Sequence, residues 1–176
     1  MKSNRVKNPI VITESSFDAE LLQKVLPESL IGDARFVTGM GYSSAISKAK
    51  SLALRLEDMI VLVLDSDTLH LSEANEKRER IEFVFKSLGK ERQVKAFLFQ
   101  PEIEVIFFES KFVSNKLSQL IPGFNDFSAF KVYRDNRTKR KIMDSLDKYD
   151  LDCLRKETSL KELIKLFEAE NNSWRR

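Results

Sequence analysis

Over the first hundred residues, short unbroken apolar runs alternate with longer segments in which apolar residues recur every three or four positions. The runs are IVIT (10–13), ARFVTG (34–39), MIVLVL (59–64) and VKAFLF (94–99). None alternates apolar with polar, so each reads as a strand buried on both faces. SFDAELLQKVL (16–26) places Phe17, Leu21, Leu22, Val25 and Leu26 on one helical stripe, with Ser16 as N-cap and Pro27 closing the helix. GYSSAISKAKSLAL (41–54) gathers Ala45, Ile46, Ala49, Leu52 and Ala53 on one side. SEANEKRERIEFVFKSL (72–88) is a charged helix capped by Ser72, and PEIEVIFFES (101–110) a helix with Pro101 in its first turn.

The order βαβαβαβα predicts an α/β fold, a four-stranded parallel sheet flanked by helices over residues 1–110. Ligands of such sheets bind beyond the carboxyl ends of the strands. Residues 111–176 read as a basic helical C-terminal extension. There IPGFNDF (121–127) is a turn or loop, and KRKIMDSLDKYD (139–150) and TSLKELIKLFEAEN (158–171) are helical. Ser159 and Glu162 have the spacing of a capping box.

Charge sharpens this division. Residues 1–110 carry 15 Lys/Arg against 17 Asp/Glu, whereas residues 111–176 carry 15 against 10. A basic tail beside an acidic half suits a polyanionic partner, or is simply a solvated face. The single cysteine, Cys153, excludes an internal disulfide framework and fits a reducing compartment. No apolar run approaches the roughly 20 residues that span a bilayer. MKSNRVKNPI is followed by no apolar segment beyond IVI, so no secretory leader is expected and the location expected is cytoplasmic.

The chemistry lies where the strands stop. The first ends at Glu14, the third at Asp65 and Asp67, and the fourth is followed by Glu102 and Glu104. A parallel sheet sets all of them along one edge. Converging carboxylates raise one another's pKa, and a divalent cation with oxygen ligands relieves the repulsion. Asp65 and Asp67 are two apart, the spacing of one strand face. The plainer alternative makes Asp65 a helix cap and Asp67 a solvated acid. No His or Cys spacing suits zinc, and no G-x-x-x-x-G-K-[ST] is present. His70 is either a proton donor or a solvated loop residue.

VITESSFDAELLQKVL, TGMGYSSAISKAKSLAL and VLVLDSDT together resemble a Toprim domain, over about residues 8–110. Toprim is the catalytic module of primases, type IA and type II topoisomerases, recombination mediators, small RNA-maturing ribonucleases and OLD-family nucleases. Its pattern is a glutamate ending the first strand, a glycine turn before the second helix, and D-x-D after the third strand. Primases and topoisomerases usually place glycine after the glutamate, and here Ser15 and Ser16 follow Glu14. The OLD-type nucleases are looser there, and FLFQPEIEVIFF is similar to their segment after the fourth strand.

The resemblance implies a Mg²⁺- or Mn²⁺-dependent nuclease. It implies Asp65 and Asp67 as metal ligands, Glu104 completing the set with Glu102 as the alternative, and Glu14 as acid/base or second-metal ligand. Gly39 and Gly41 match the glycine turn. Asp18 matches a position often acidic in the family, or is a first-turn acid favoured by the helix dipole. The resemblance further implies a nucleic-acid substrate. It also suggests the nuclease half of a two-part anti-phage or toxin system, gated by an ATPase partner that this P-loop-free chain would meet in trans. An RNA-maturing ribonuclease and a non-catalytic Toprim binding module are the other readings. In KVYRDNRTKRK (131–141), Lys131, Arg134, Arg137, Lys139, Arg140 and Lys141 are candidate phosphate contacts and Tyr133 a stacking platform; the alternative is a charged helix start. A response-regulator receiver is excluded by its reversed acid pattern, which needs two acids after the first strand and one after the third.

Overall fold

The computed structural model describes residues 9–124, 127–130 and 135–174. Its centre is a four-stranded, all-parallel sheet in the order β2-β1-β3-β4, as the apolar runs predict. The strands are β1 (Ile10–Thr13), β2 (Arg35–Thr38), β3 (Ile60–Asp65) and β4 (Val94–Phe99). Side chains alternate between two cores. Ile10, Ile12, Ile60, Leu62 and Leu64 enter one, and Val11, Val61 and Val63 enter the other.

The crossovers explain how the faces are covered. From β1 the chain steps one way to β2, then back past β1 to β3 and onward to β4. Right-handed crossovers running in opposite directions place their helices on opposite faces. Accordingly α1 (Ser16–Val25) packs on the first face. The second face is covered by α3 (Tyr42–Arg55), through Ala45, Ala49 and Ala53, and by α4 (Leu71–Ser87), through Ile81 and Phe85. The short α2 (Glu28–Ile31) lies between α1 and β2.

No crossover helix covers the first face over β3 and β4. The remainder of the chain does so. A 3₁₀ turn (Ile103–Val105) leads into α5 (Ile106–Glu109), α6 (Lys111–Leu120), α7 (Phe127–Phe130), α8 (Asn136–Ser145), α9 (Lys148–Glu157) and α10 (Leu160–Trp174). Val113, Leu117, Ile142, Leu154, Leu163 and Phe167 share one buried cluster with Val11, Leu22, Val61 and Phe99, so this packing runs across the 110/111 boundary. Arg155 of α9 donates Nε–H to the Val25 carbonyl at 2.7 Å and Nη2–H to that of Leu26, closing the C-terminus of α1.

Local departures from the expected pattern have local causes. Ser15, not Ser16, caps α1, in a capping box with Asp18. His70 precedes α4 without a side-chain cap, so Ser72 falls inside the helix. Pro101 follows a cis peptide and precedes extended Glu102, so regular helix begins only at Ile106. Residues 139–150 form two helices because the Asp147 side chain accepts the N–H groups of Tyr149 and Asp150 and starts α9 afresh. Ser159 makes no capping box with Glu162; its N–H and hydroxyl both donate to Glu109. Among the described residues, no helix is long and apolar enough to cross a membrane.

Candidate active site at the strand ends

The sheet reverses its winding between β1 and β3, the place where a parallel α/β sheet opens a crevice. Glu14 and Asp65 close the two strands there. Glu14 Oε1 accepts the Asp65 N–H at 2.8 Å, and Asp65 Oδ1 accepts the Ile103 N–H at 2.9 Å. Two carboxylates thus tie the ends of β1 and β3 to the segment after β4.

Beyond β2 the turn is drawn onto β1. Gly39 N–H donates to Thr13 O at 2.7 Å and Gly41 N–H to Glu14 O at 2.9 Å. A Cβ on Gly39 would lie 2.5 Å from Ala45 Cα, so only glycine admits this approach of loop to helix. Gly41 carries the positive φ of 106° that starts α3.

Asp65 and Asp67 do not face the same way. Strand geometry ends at Asp65, and Asp67 adopts a left-handed φ of 54°, with its N–H on the Pro101 carbonyl at 2.9 Å. Asp65 points inward toward Asp18, Glu104 and Ile103. Asp67 turns to the rim, where Lys77 of α4 lies 3.6 Å away. Lys77 also donates to the Ser66 carbonyl and sits 5.5 Å from the Tyr42 ring centroid. Glu14 stands between these two halves.

Electrostatics follow this division. Burial, then the charges of Asp18 and Glu104, push Asp65 up to about 8; the Ile103 N–H opposes the rise and Glu14 adds to it. Burial raises Glu14, against the Asp65 N–H that lowers it, and Asp67 and Asp18 add to the rise. Burial raises Asp18, opposed by the hydrogen bonds to Ser15. Asp18 therefore does both things its position allows: it closes the helix cap and acts on the inner acids. Glu104 is buried and pairs with Lys139 at 2.9 Å, the two side chains being 4% and 17% exposed. Glu102 is buried beside it. Burial and the nearby Glu14 charge also raise the Tyr42 hydroxyl.

The basic candidates are dispersed. Lys139 turns into the acids, while Arg137, Arg140 and Lys141 stay at the surface, and Lys141 donates to the Leu120 carbonyl at 2.8 Å. Lys131, Arg134 and Tyr133 lie outside the described residues. His70 is exposed at the start of α4.

Sequence reasoning missed Lys77 and Tyr42 as members of the site, and the inward turn of Lys139. Both lysines carry the same signal: each interrupts the apolar stripe of its helix. Lys77 stands in the register of Ala74, Ile81 and Phe85, and Lys139 in that of Ile142 and Leu146.

As a donor set for a divalent ion, the inner acids fit in kind, being carboxylate oxygens only. The Lys139 ammonium already occupies a cation's place beside Glu104. As the side chains stand, no three His, Cys, Asp or Glu among the described residues are gathered to hold an ion. Glu14 and Asp65 each commit one oxygen to a backbone N–H and Glu104 commits one to Lys139, so an ion would draw on the second oxygens of these groups.

Fold and site define an α/β protein with an all-parallel sheet whose acids converge at the winding reversal. The chain matches no family model, no curated protein and no solved structure. The Toprim resemblance accordingly rests on the quoted motifs.

Proposed function

We propose that the chain is a divalent-cation-dependent nuclease of the Toprim type, similar to the OLD-family nucleases, that hydrolyses phosphodiester bonds in nucleic acid. The observation that carries this reading is the linkage of Glu14, Asp65 and the Ile103 N–H across the winding reversal. Structural acids at strand ends are normally solvated or paired one to one; here they are stacked inward at a cost in repulsion. Asp65, Glu104 and Glu14 would hold the ion, Mg²⁺ or Mn²⁺, with Asp67 at the rim. When bound, such an ion offsets developing phosphate charge and lowers the pKa of attacking water.

The chain's own groups supply the rest. Glu14, raised by burial, is suited to exchanging a proton near neutrality. Lys77 and Tyr42 line the rim beside Asp67, where a phosphate oxygen or leaving group would pass. Arg137 and Arg140 are exposed on α8 and suit backbone contact. With no P-loop of its own, the chain would take its nucleotide control from an ATPase partner.

A non-catalytic binding module is the second reading. It is favoured by Lys77 and Lys139, which already pair with Asp67 and Glu104. Cleavage of supercoiled plasmid and of total tRNA, with Mg²⁺, Mn²⁺ or EDTA, separates the two. The expected result is metal-dependent cutting reduced roughly 100-fold or more by Asp65→Asn and by Glu14→Gln. Preference for tRNA would favour the RNA-maturing alternative. No cutting, with or without added ATPase, would leave the binding module standing.

A further inference from the structure

Lys139 is buried among groups that all favour a cation. Its Nζ lies 2.9 Å from Glu104 Oε1 and 4.3 Å from the Phe17 ring centroid, and its charge also acts on Asp18. Phe17 and Asp18 belong to α1, Glu104 follows β4, and Lys139 comes from α8, some 35 residues further along. The helix that delivers it is firmly built. Asp135 caps it by accepting the Thr138 N–H at 2.6 Å, and Ile142 is fully buried beneath it.

We propose that Lys139 is a positioning residue for the metal ligand Glu104: an internal counter-cation that holds the carboxylate in place and is displaced when a divalent ion takes it. The inference rests on the metal reading above. Its physical basis is exclusion. A carboxylate oxygen engaged by an ammonium at 2.9 Å cannot also complete a close coordination shell, and the two cations repel across a site with little water to screen them.

Two consequences follow by linkage. Whatever removes Lys139 from Glu104 strengthens metal binding, and metal binding loosens Lys139 by the same factor. The lysine's other neighbours on α8, Arg137 and Arg140, face solvent. A displaced Lys139 would join them, so loading the inner acids adds one positive charge to the surface of α8. The device thus reports the state of a buried site to an exposed basic helix.

The test is Mg²⁺ and Mn²⁺ affinity, measured by titration calorimetry on the full chain, for wild type, Lys139→Met and Lys139→Arg. Lys139→Met, which keeps the stem and removes the charge, is expected to bind at least about fivefold tighter. Lys139→Arg is expected to stay near wild type. Equal or weaker binding by a folded Lys139→Met chain overturns the proposal while leaving the metal reading intact. Absence of binding in all three overturns both. Should Lys139→Met fail to fold, the wild-type chain decides. The Lys139 side-chain nitrogen resonance, assigned by its loss in Lys139→Arg, should move to a solvent-exchanging position as Mg²⁺ is added. An unmoved resonance at saturating Mg²⁺ overturns the proposal.

Discussion

Two lysines neutralise the strand-end acids from opposite faces of the sheet, on different terms. Lys77 reaches Asp67 from α4 at 3.6 Å, with the side chains 33% and 59% exposed. Lys139 reaches Glu104 from α8 at 2.9 Å, with the side chains 17% and 4% exposed. The outer pair is screened by water and salt, and such pairs contribute little to stability. The inner pair is desolvated, and removing one member strands a buried charge. The difference teaches that the site has an adjustable rim and a locked interior. Chemistry that needs ions to come and go must act by unlocking the interior.

The sharpest way to break this comparison is to remove the inner lysine. Lys139→Ala is expected to lower the unfolding free energy by roughly 3 kcal/mol, read from urea midpoints. Adding Glu104→Leu should restore most of the loss, because the stranded carboxylate is gone. If Lys139→Ala costs no more than a surface change, the two pairs are alike and the interior is not locked.

A second probe uses pH. Asp65 has a folded pKa of about 8 against an ordinary 3.8, so between these values the folded state holds a proton that the unfolded state has released. Stability therefore falls as pH rises through that window and levels off above it. Glu14 and Asp18 are raised as well and act in the same direction over their own ranges. The melting temperature in EDTA is expected to be higher at pH 5 than at pH 8.5. Asp65→Asn should flatten the slope. A melting temperature that rises across this range would show that the interior acids are already ionised and compensated.

The smallest effect belongs to the rim. Lys77→Ala is expected to cost about 1 kcal/mol or less, and the cost should shrink as salt is added. A larger, salt-insensitive loss would erase the distinction between the two pairs.

How much of this was legible in the chain varies with the physics involved. The four strands were, because strands buried on both faces leave unbroken apolar runs such as IVIT and VKAFLF, and their parallel order follows from the helices between them. The acids at the strand ends were legible for the same reason. The orientation of Asp67 was not: the two-residue period ends with the strand at Asp65, and the next turn is fixed by the Pro101 carbonyl, 34 positions away in sequence. The direction of Lys139 was hidden by its company. Amid Arg137, Arg140 and Lys141 it reads as surface charge, and only its register with Ile142 marks it as inward. Nor does any local pattern announce that the helices after Lys111 cover the first face. That need arises from the sheet's winding, which leaves β3 and β4 without a crossover helix on that side.

The clasp between Arg155 and the end of α1 bears on how the chain comes into being. Val25 O waits for a donor 130 residues downstream, and Leu21, Leu22, Val61 and Val63 wait for helices made equally late. During synthesis the sheet can pair and cover its second face while the first is still bare. A ribosome working through residues 111–174 therefore carries a half-dressed sheet, sticky on one side, whose acid-lined edge acquires Lys139 only near the end.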